Sequence, residues 1–169
     1  MIRSKRVVFV SHCLLNQNTR AINQEKFPGI VKDIMELFLE ADIGVVQLPC
    51  PQMEHNGGGI KRKFQPGKVL KENGYRTECK KMSTSIIKQI EKYLKEDYTV
   101  VGIVGVEFSP TCAVHQINNG KKNVPGRGIL IEELESKMQK KNFQVPIIGV
   151  NLNNIFSSTE KVQSLLKFF

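Results

Sequence analysis

Four short runs of continuous apolar, mostly β-branched residues limit what this chain can fold into: Arg6 to Ser11, Ile43 to Leu48, Thr99 to Val106 and Pro146 to Asn151. They do not alternate apolar with polar, so they read as strands buried on both faces, as parallel strands covered by helices are. Helical spacing fills the intervals. Pro28 can open a helix in which Ile30, Val31, Ile34, Leu37 and Phe38 recur at steps of three and four, ending before Asp42 and Gly44. Ile86, Ile87, Ile90 and Leu94 repeat that spacing, as do Ile131, Leu134 and Met138, and Ser157, Ser158 and Thr159 offer caps for a last helix carrying Val162, Leu165 and Leu166. Strands alternating with helices imply right-handed crossovers. The expected fold is therefore a three-layer α/β sandwich, flavodoxin- or Rossmann-like, with a mainly parallel sheet of about four to five strands.

A chain of 169 residues fits a single domain over 1–169, large enough for one real core. Charged residues make up 24% and hydrophobic residues 40%, a balance that argues against disorder. The apolar run behind the basic start is too short for a signal peptide, and no stretch approaches a membrane span, so a cytoplasmic protein is expected. Lys plus Arg exceed Asp plus Glu by 25 − 16 = 9, a surplus that favours an anionic partner such as a nucleotide phosphate or RNA. Residues 54 to 74, rich in Gly, Asn, Lys and Pro, read as a long loop.

In a reducing compartment the four cysteines are buried thiols, ligands or nucleophiles rather than disulfides. Cys13 follows the first strand, Cys50 the second and Cys112 the third, and ligands in open parallel sheets bind outside the carboxyl ends of the strands. These three should share one edge and one site. Cys79 falls near a helix start and is left out as a structural or surface thiol. Three soft thiolates suit an iron-sulfur cluster, zinc or copper(I). His12, His55 and His115 keep a Cys3His zinc set open, although close Cys-x2-Cys pairs are lacking, and each reads more naturally as a supporting donor or a surface residue. A metal-free cysteine nucleophile with a histidine base is a further alternative. Gly57-Gly58-Gly59 followed by Lys61-Arg62-Lys63 could bring bare backbone and positive charge to an anion, and Pro125-Gly126-Arg127-Gly128 before a helix is a second anion candidate.

Ser11-His12-Cys13-Leu14-Leu15-Asn16, Pro49-Cys50-Pro51-Gln52 with the three glycines, and Ser109-Pro110-Thr111-Cys112 together resemble the three signatures of the thiouracil desulfurase family, known as domain of unknown function 523. The resemblance spans Val7 to Ile131. It implies a 4Fe-4S cluster held by Cys13, Cys50 and Cys112, an open iron that binds the sulfur of a thiolated pyrimidine or its nucleotide, and replacement of that sulfur by water. It also implies a positioning role for Ser109. On this reading Ser11, Gly58, Gly59, Lys61 and Arg62 face the substrate. Gln52 stands where the family signature has glutamate, which leaves Glu54 or Glu107 as the proton-transfer group, with Glu107 preferred because burial at the end of the third strand would raise its pKa toward neutrality. Asn16 replaces a glycine. A metal- or cluster-containing module that binds RNA or protein without catalysis is the alternative.

Overall fold

The structure is a computed structural model and describes residues 2–55 and 58–169. Strands β1 (Arg6–Ser11), β2 (Gly44–Leu48), β3 (Thr99–Val106) and β4 (Ile147–Val150) form one sheet in the order β2-β1-β3-β4, and every pairing is parallel. All four expected strands are present, within a residue or so of their expected ends. Helices α1 (His12–Leu15) and α2 (Lys32–Glu40) follow β1, while α3 (Pro51–Glu54), α4 (Pro66–Lys71) and α5 (Asn73–Lys95) follow β2. Next come α6 (Ile129–Lys140), between β3 and β4, and α7 (Ile155–Leu166) at the end.

The sheet has a core on each face. On one, Phe9, Leu48 and Ile103 meet Ile86, Ile87 and Ile90 of α5 with Ile131 and Leu134 of α6. On the other, Val8, Val10 and Val104 meet Ile34 and Phe38 of α2 with Val162 and Leu165 of α7. Apolar residues that point alternately to both faces explain the continuous runs, and the fold is the expected three-layer α/β sandwich. At the end of the sheet where the strands begin, Arg6 Nη2 donates to Ala41 O at 2.7 Å and Nη1 to Phe169 O at 3.4 Å, joining three distant parts of the chain. No helix among the described residues is long and apolar enough to cross a membrane.

Several boundaries differ from expectation. Helix α2 begins at Lys32 rather than Pro28, because Gly29 O accepts from Gln17 N at 2.6 Å and Val31 N donates to Leu14 O at 2.9 Å, holding that segment against the turn after β1. The cap of α7 is Asn154, whose side chain accepts from Ser157 N at 3.2 Å, while Ser158 is buried and bonds back to Asn151. The 54–74 stretch contains α4 and leads straight into α5, whose buried stripe extends back through Met82 and Cys79 to Tyr75. A two-stranded antiparallel hairpin, β5 (Gln116–Asn118) and β6 (Asn123–Pro125), was not expected from the apolar pattern. Its only sequence sign is the turn dipeptide Asn119-Gly120, with Gly120 at φ +96°.

Candidate functional site

β1 pairs with β2 on one side and β3 on the other, so the chain's direction across the sheet reverses at β1, and the loops after these three strands part there. Cys13 sits in α1 immediately after β1, Cys50 precedes the first turn of α3 with Pro51 at its start, and Cys112 lies in the turn after β3. All three line one cavity of about 210 Å³. Cys79 does not reach it and is fully buried in α5.

Each thiol is held by its own loop. Gln17, itself buried, donates through Nε2 to Cys13 O at 2.5 Å and accepts Lys26 N at 3.0 Å, fixing the turn of Cys13 against the following loop. Arg20 Nη1 lies 3.8 Å from Cys13 Sγ, within reach of a hydrogen bond to sulfur. Cys50 O accepts from Met53 N at 3.0 Å. Around Cys112, Ser109 Oγ accepts from both Thr111 N and Cys112 N at 3.1 Å. The first N-H groups of α6 reach the same turn, Ile129 N to Pro110 O and Leu130 N to Thr111 O, both at 3.0 Å. Those N-H groups are therefore taken, and Arg127 is committed to Val114 O and Glu135, so the proposed anion site at Pro125-Gly126-Arg127-Gly128 is not built.

Burial pushes all three thiols up. For Cys112 the neighbouring Cys50 and Cys13 add to this, and for Cys13 and Cys50 the guanidinium groups of Arg20 and Arg62 act in the opposite sense. Ser11 Oγ is buried beside Cys112 and has no well-formed hydrogen bond among the described residues. Among the described residues no three His, Cys, Asp or Glu side chains converge closely enough for a single metal ion. A mononuclear zinc site, which needs four donors around one centre, is thus not ready-made. In a 4Fe-4S cluster each cysteine binds its own iron, so such a cluster asks for three thiols on one cavity rather than three donors on one ion.

Glu107 lines the cavity and is 8% exposed. Its Oε2 accepts from the backbone N-H groups of Val114, His115 and Gln116 at 3.1 to 3.3 Å, and Oε1 pairs with His115 Nδ1 at 2.8 Å. Burial pushes this carboxyl up, but the His115 side chain and the backbone N-H groups outweigh it and the net shift is downward. The expected rise toward neutrality is reversed, because a carboxylate receiving this many hydrogen bonds is favoured in its charged form. A Cβ added at Gly149 would collide with the same carboxylate, so β4 leaves it room only by having glycine there.

The other expected contacts divide. Ser11, Ser109 and Arg62 line the thiol cavity. Gly58 and Lys61 line an adjoining groove, with Arg62, Lys63 and Lys68, and Arg62 borders both. Gly59, at φ +84°, donates its N-H to Met53 O at 2.9 Å, and a Cβ at Gly58 would overlap the carbonyls of Gln52 and Met53. These glycines allow the loop to close against α3, and Gly57 lies outside the described residues. His12 lines the cavity beside Gln47, His55 pairs with Glu72, and His115 pairs with Glu107. Glu54 ends α3 and does not line the cavity.

Sequence reasoning missed Arg20, Lys26, Phe64 and Phe108, all on the cavity wall. The first three lie in loops with neither periodicity nor motif. Phe108 has φ +67°, a costly conformation for a bulky residue, and is held there by Gln116 O and Asn118 N of the hairpin. Across the rim, Ile22 N donates to Arg62 O at 3.0 Å and joins the loops that follow β1 and β2.

Fold and site together define a parallel α/β domain with a thiol-lined, positively charged crevice at the reversal of its sheet. The chain belongs to the family of the uncharacterized protein MJ0003 of Methanocaldococcus jannaschii, with which it shares 32% identity over 147 residues, covering 87% of this chain and 86% of the relative. No protein-family model matches. Among solved structures it is similar to the 4Fe-4S-dependent thiouracil desulfidase TudS (DUF523Vcz), at 15% identity and a TM-score of 0.48, over 95% of this chain and 99% of that one.

Proposed function

We propose that this chain is an iron-sulfur enzyme that removes sulfur from a thiolated uracil, as base, nucleoside or nucleotide, with Cys13, Cys50 and Cys112 holding a 4Fe-4S cluster. The observation that carries the reading is the meeting of these three thiols on one cavity, each at the position of a desulfurase signature. When bound, the cluster supplies an iron without a protein ligand, a Lewis acid for the substrate sulfur. Overall, the thiocarbonyl and one water become a carbonyl and hydrogen sulfide, with no change in oxidation state.

The chain's own residues fit that task. Phe64 and Phe108 offer apolar walls to a planar ring. Arg20, Lys26 and Arg62 make the cavity positive, which favours the nucleotide over the free base. Ser109 Oγ already accepts two N-H groups, so its proton is available to orient a ligand oxygen or water, and Ser11 Oγ is a second hydroxyl at the cavity. Glu107 is committed to the backbone of 114–116, so in this reading it positions the Cys112 loop rather than transferring a proton.

Anaerobic reconstitution followed by iron and sulfide assays tests this directly. About four irons per chain, lost in Cys13→Ala, Cys50→Ala and Cys112→Ala but kept in Cys79→Ala, are expected. Sulfide release from 4-thiouracil or 4-thiouridine monophosphate should follow cluster content, and a loaded protein that releases none would overturn the activity. The basic groove of Lys61, Arg62, Lys63 and Lys68 favours a second reading, RNA binding. RNA affinity with a steep salt dependence, in protein that releases no sulfide, would favour it.

A further inference from the structure

Gln52 lines the thiol cavity, and buried hydroxyls behind it engage the amino end of its amide. Gln52 Nε2 lies 2.8 Å from Thr111 Oγ1, and Thr111 Oγ1 lies 2.5 Å from Tyr75 Oη. Thr111 and Tyr75 are each 1% exposed, so neither hydroxyl has ready access to solvent. Either the Tyr75 phenol or the Thr111 hydroxyl can donate in their contact, and Thr111 Oγ1 in addition accepts the Gln52 amide N-H. The contacts therefore run from Gln52 Nε2 to Thr111 to Tyr75, and Gln52 Oε1 has no hydrogen bond among the described residues.

We infer that Gln52 is a specificity-determining residue whose side-chain carbonyl accepts a ring N-H from the ligand, so that the site selects pyrimidines with an unsubstituted N-H beside the thiocarbonyl. This rests on the proposed desulfuration and names the substrate feature that the site reads. Turning the amide amino group toward the ligand would break its 2.8 Å hydrogen bond to Thr111. A carbonyl facing an N-methyl group would itself lose its hydrogen bond, the situation in which polar sites discriminate most strongly.

The test compares 4-thiouracil with 3-methyl-4-thiouracil on anaerobically reconstituted protein, by calorimetric binding and by KM and kcat for sulfide release. Wild type is expected to favour the unsubstituted probe by about tenfold or more. Gln52→Leu should abolish the preference mainly through KM, and Gln52→Glu should retain it, because a carboxylate oxygen also accepts an N-H. Thr111→Val should weaken the preference while Thr111→Ser preserves it. If Thr111→Val fails to fold, the Gln52 pair alone decides. Equal affinity of wild type for both probes, with sulfide still released, would overturn the role of Gln52 and leave the desulfurase reading standing. Equal loss of both probes in Gln52→Leu would show a merely structural residue. A cluster-loaded wild type that binds neither probe would overturn both proposals.

Discussion

Glu107 stands on the cavity wall where a proton-transfer group was expected, with its carboxylate occupied by hydrogen bonds. At 8% exposure it receives three backbone N-H groups and a histidine, and its folded pKa lies below the ordinary glutamate value. A depressed pKa stabilises the fold above the unfolded value, and this contribution is lost as pH falls through the lower, folded one. Glu107→Gln is therefore expected to cost about 1.5–3 kcal/mol at neutral pH in urea unfolding and to flatten the loss of stability on acidification. An unchanged acid limb would show that another group governs it. Cys79 makes the opposite case. Burial is the main reason its thiol is pushed up to about 12, and with 0% exposure it should resist maleimide in the folded protein and react only after unfolding. Cys13, Cys50 and Cys112 were legible because each follows a strand. Arg20 and Phe64 were not, because only the folding of irregular loops brings them to the same wall.

At the scale of elements, the strands were the most readable part, since continuous β-branched runs such as Val7 to Val10 have few other uses in a chain of this size. Helix starts were less so. The beginning of α2 is set by backbone bonds to Leu14 and Gln17, and the first turns of α5 are polar enough to resemble the preceding loop. The hairpin escaped notice because its strands are three residues each and only partly buried, although it holds Phe108 in its strained conformation. Close fit between elements should be equally sensitive. Gly149→Ala places a methyl group against the Glu107 carboxylate and is expected to destabilise the protein by about 1–3 kcal/mol in thermal melts. Combined with Glu107→Ala, the same change should cost much less, because the obstructing carboxylate is gone; full additivity would place the strain elsewhere.

For the whole molecule, a ligand that binds only the folded state adds to its stability. In the proposed cluster-loaded form, stripping the cluster with a chelator should lower the melting temperature, by about 2–4 °C for each kcal/mol of stabilisation lost in a chain of this size. Hydrogen exchange should locate the change. Amides at the carboxyl ends of β1, β2 and β3 and in the loops after them should speed up, while those near Arg6 keep their protection. The layers and sheet were legible as a whole because strand and helix patterns agree throughout, whereas the shape of the crevice depends on loops with no period to read.

The two ends of the sheet are secured by different means. At the starting end a single arginine belts Ala41 and Phe169 to the first strand, using only parts that the chain carries with it from synthesis. At the finishing end three adjacent strands deliver thiols to one cavity, where one guest could rivet them together. Protein that loses that rivet would loosen from one pole only, offering the 17–31 segment to proteases while the rest of the molecule holds. If the proposed cluster is that guest, nicking confined to that segment after the cluster is stripped would be its signature.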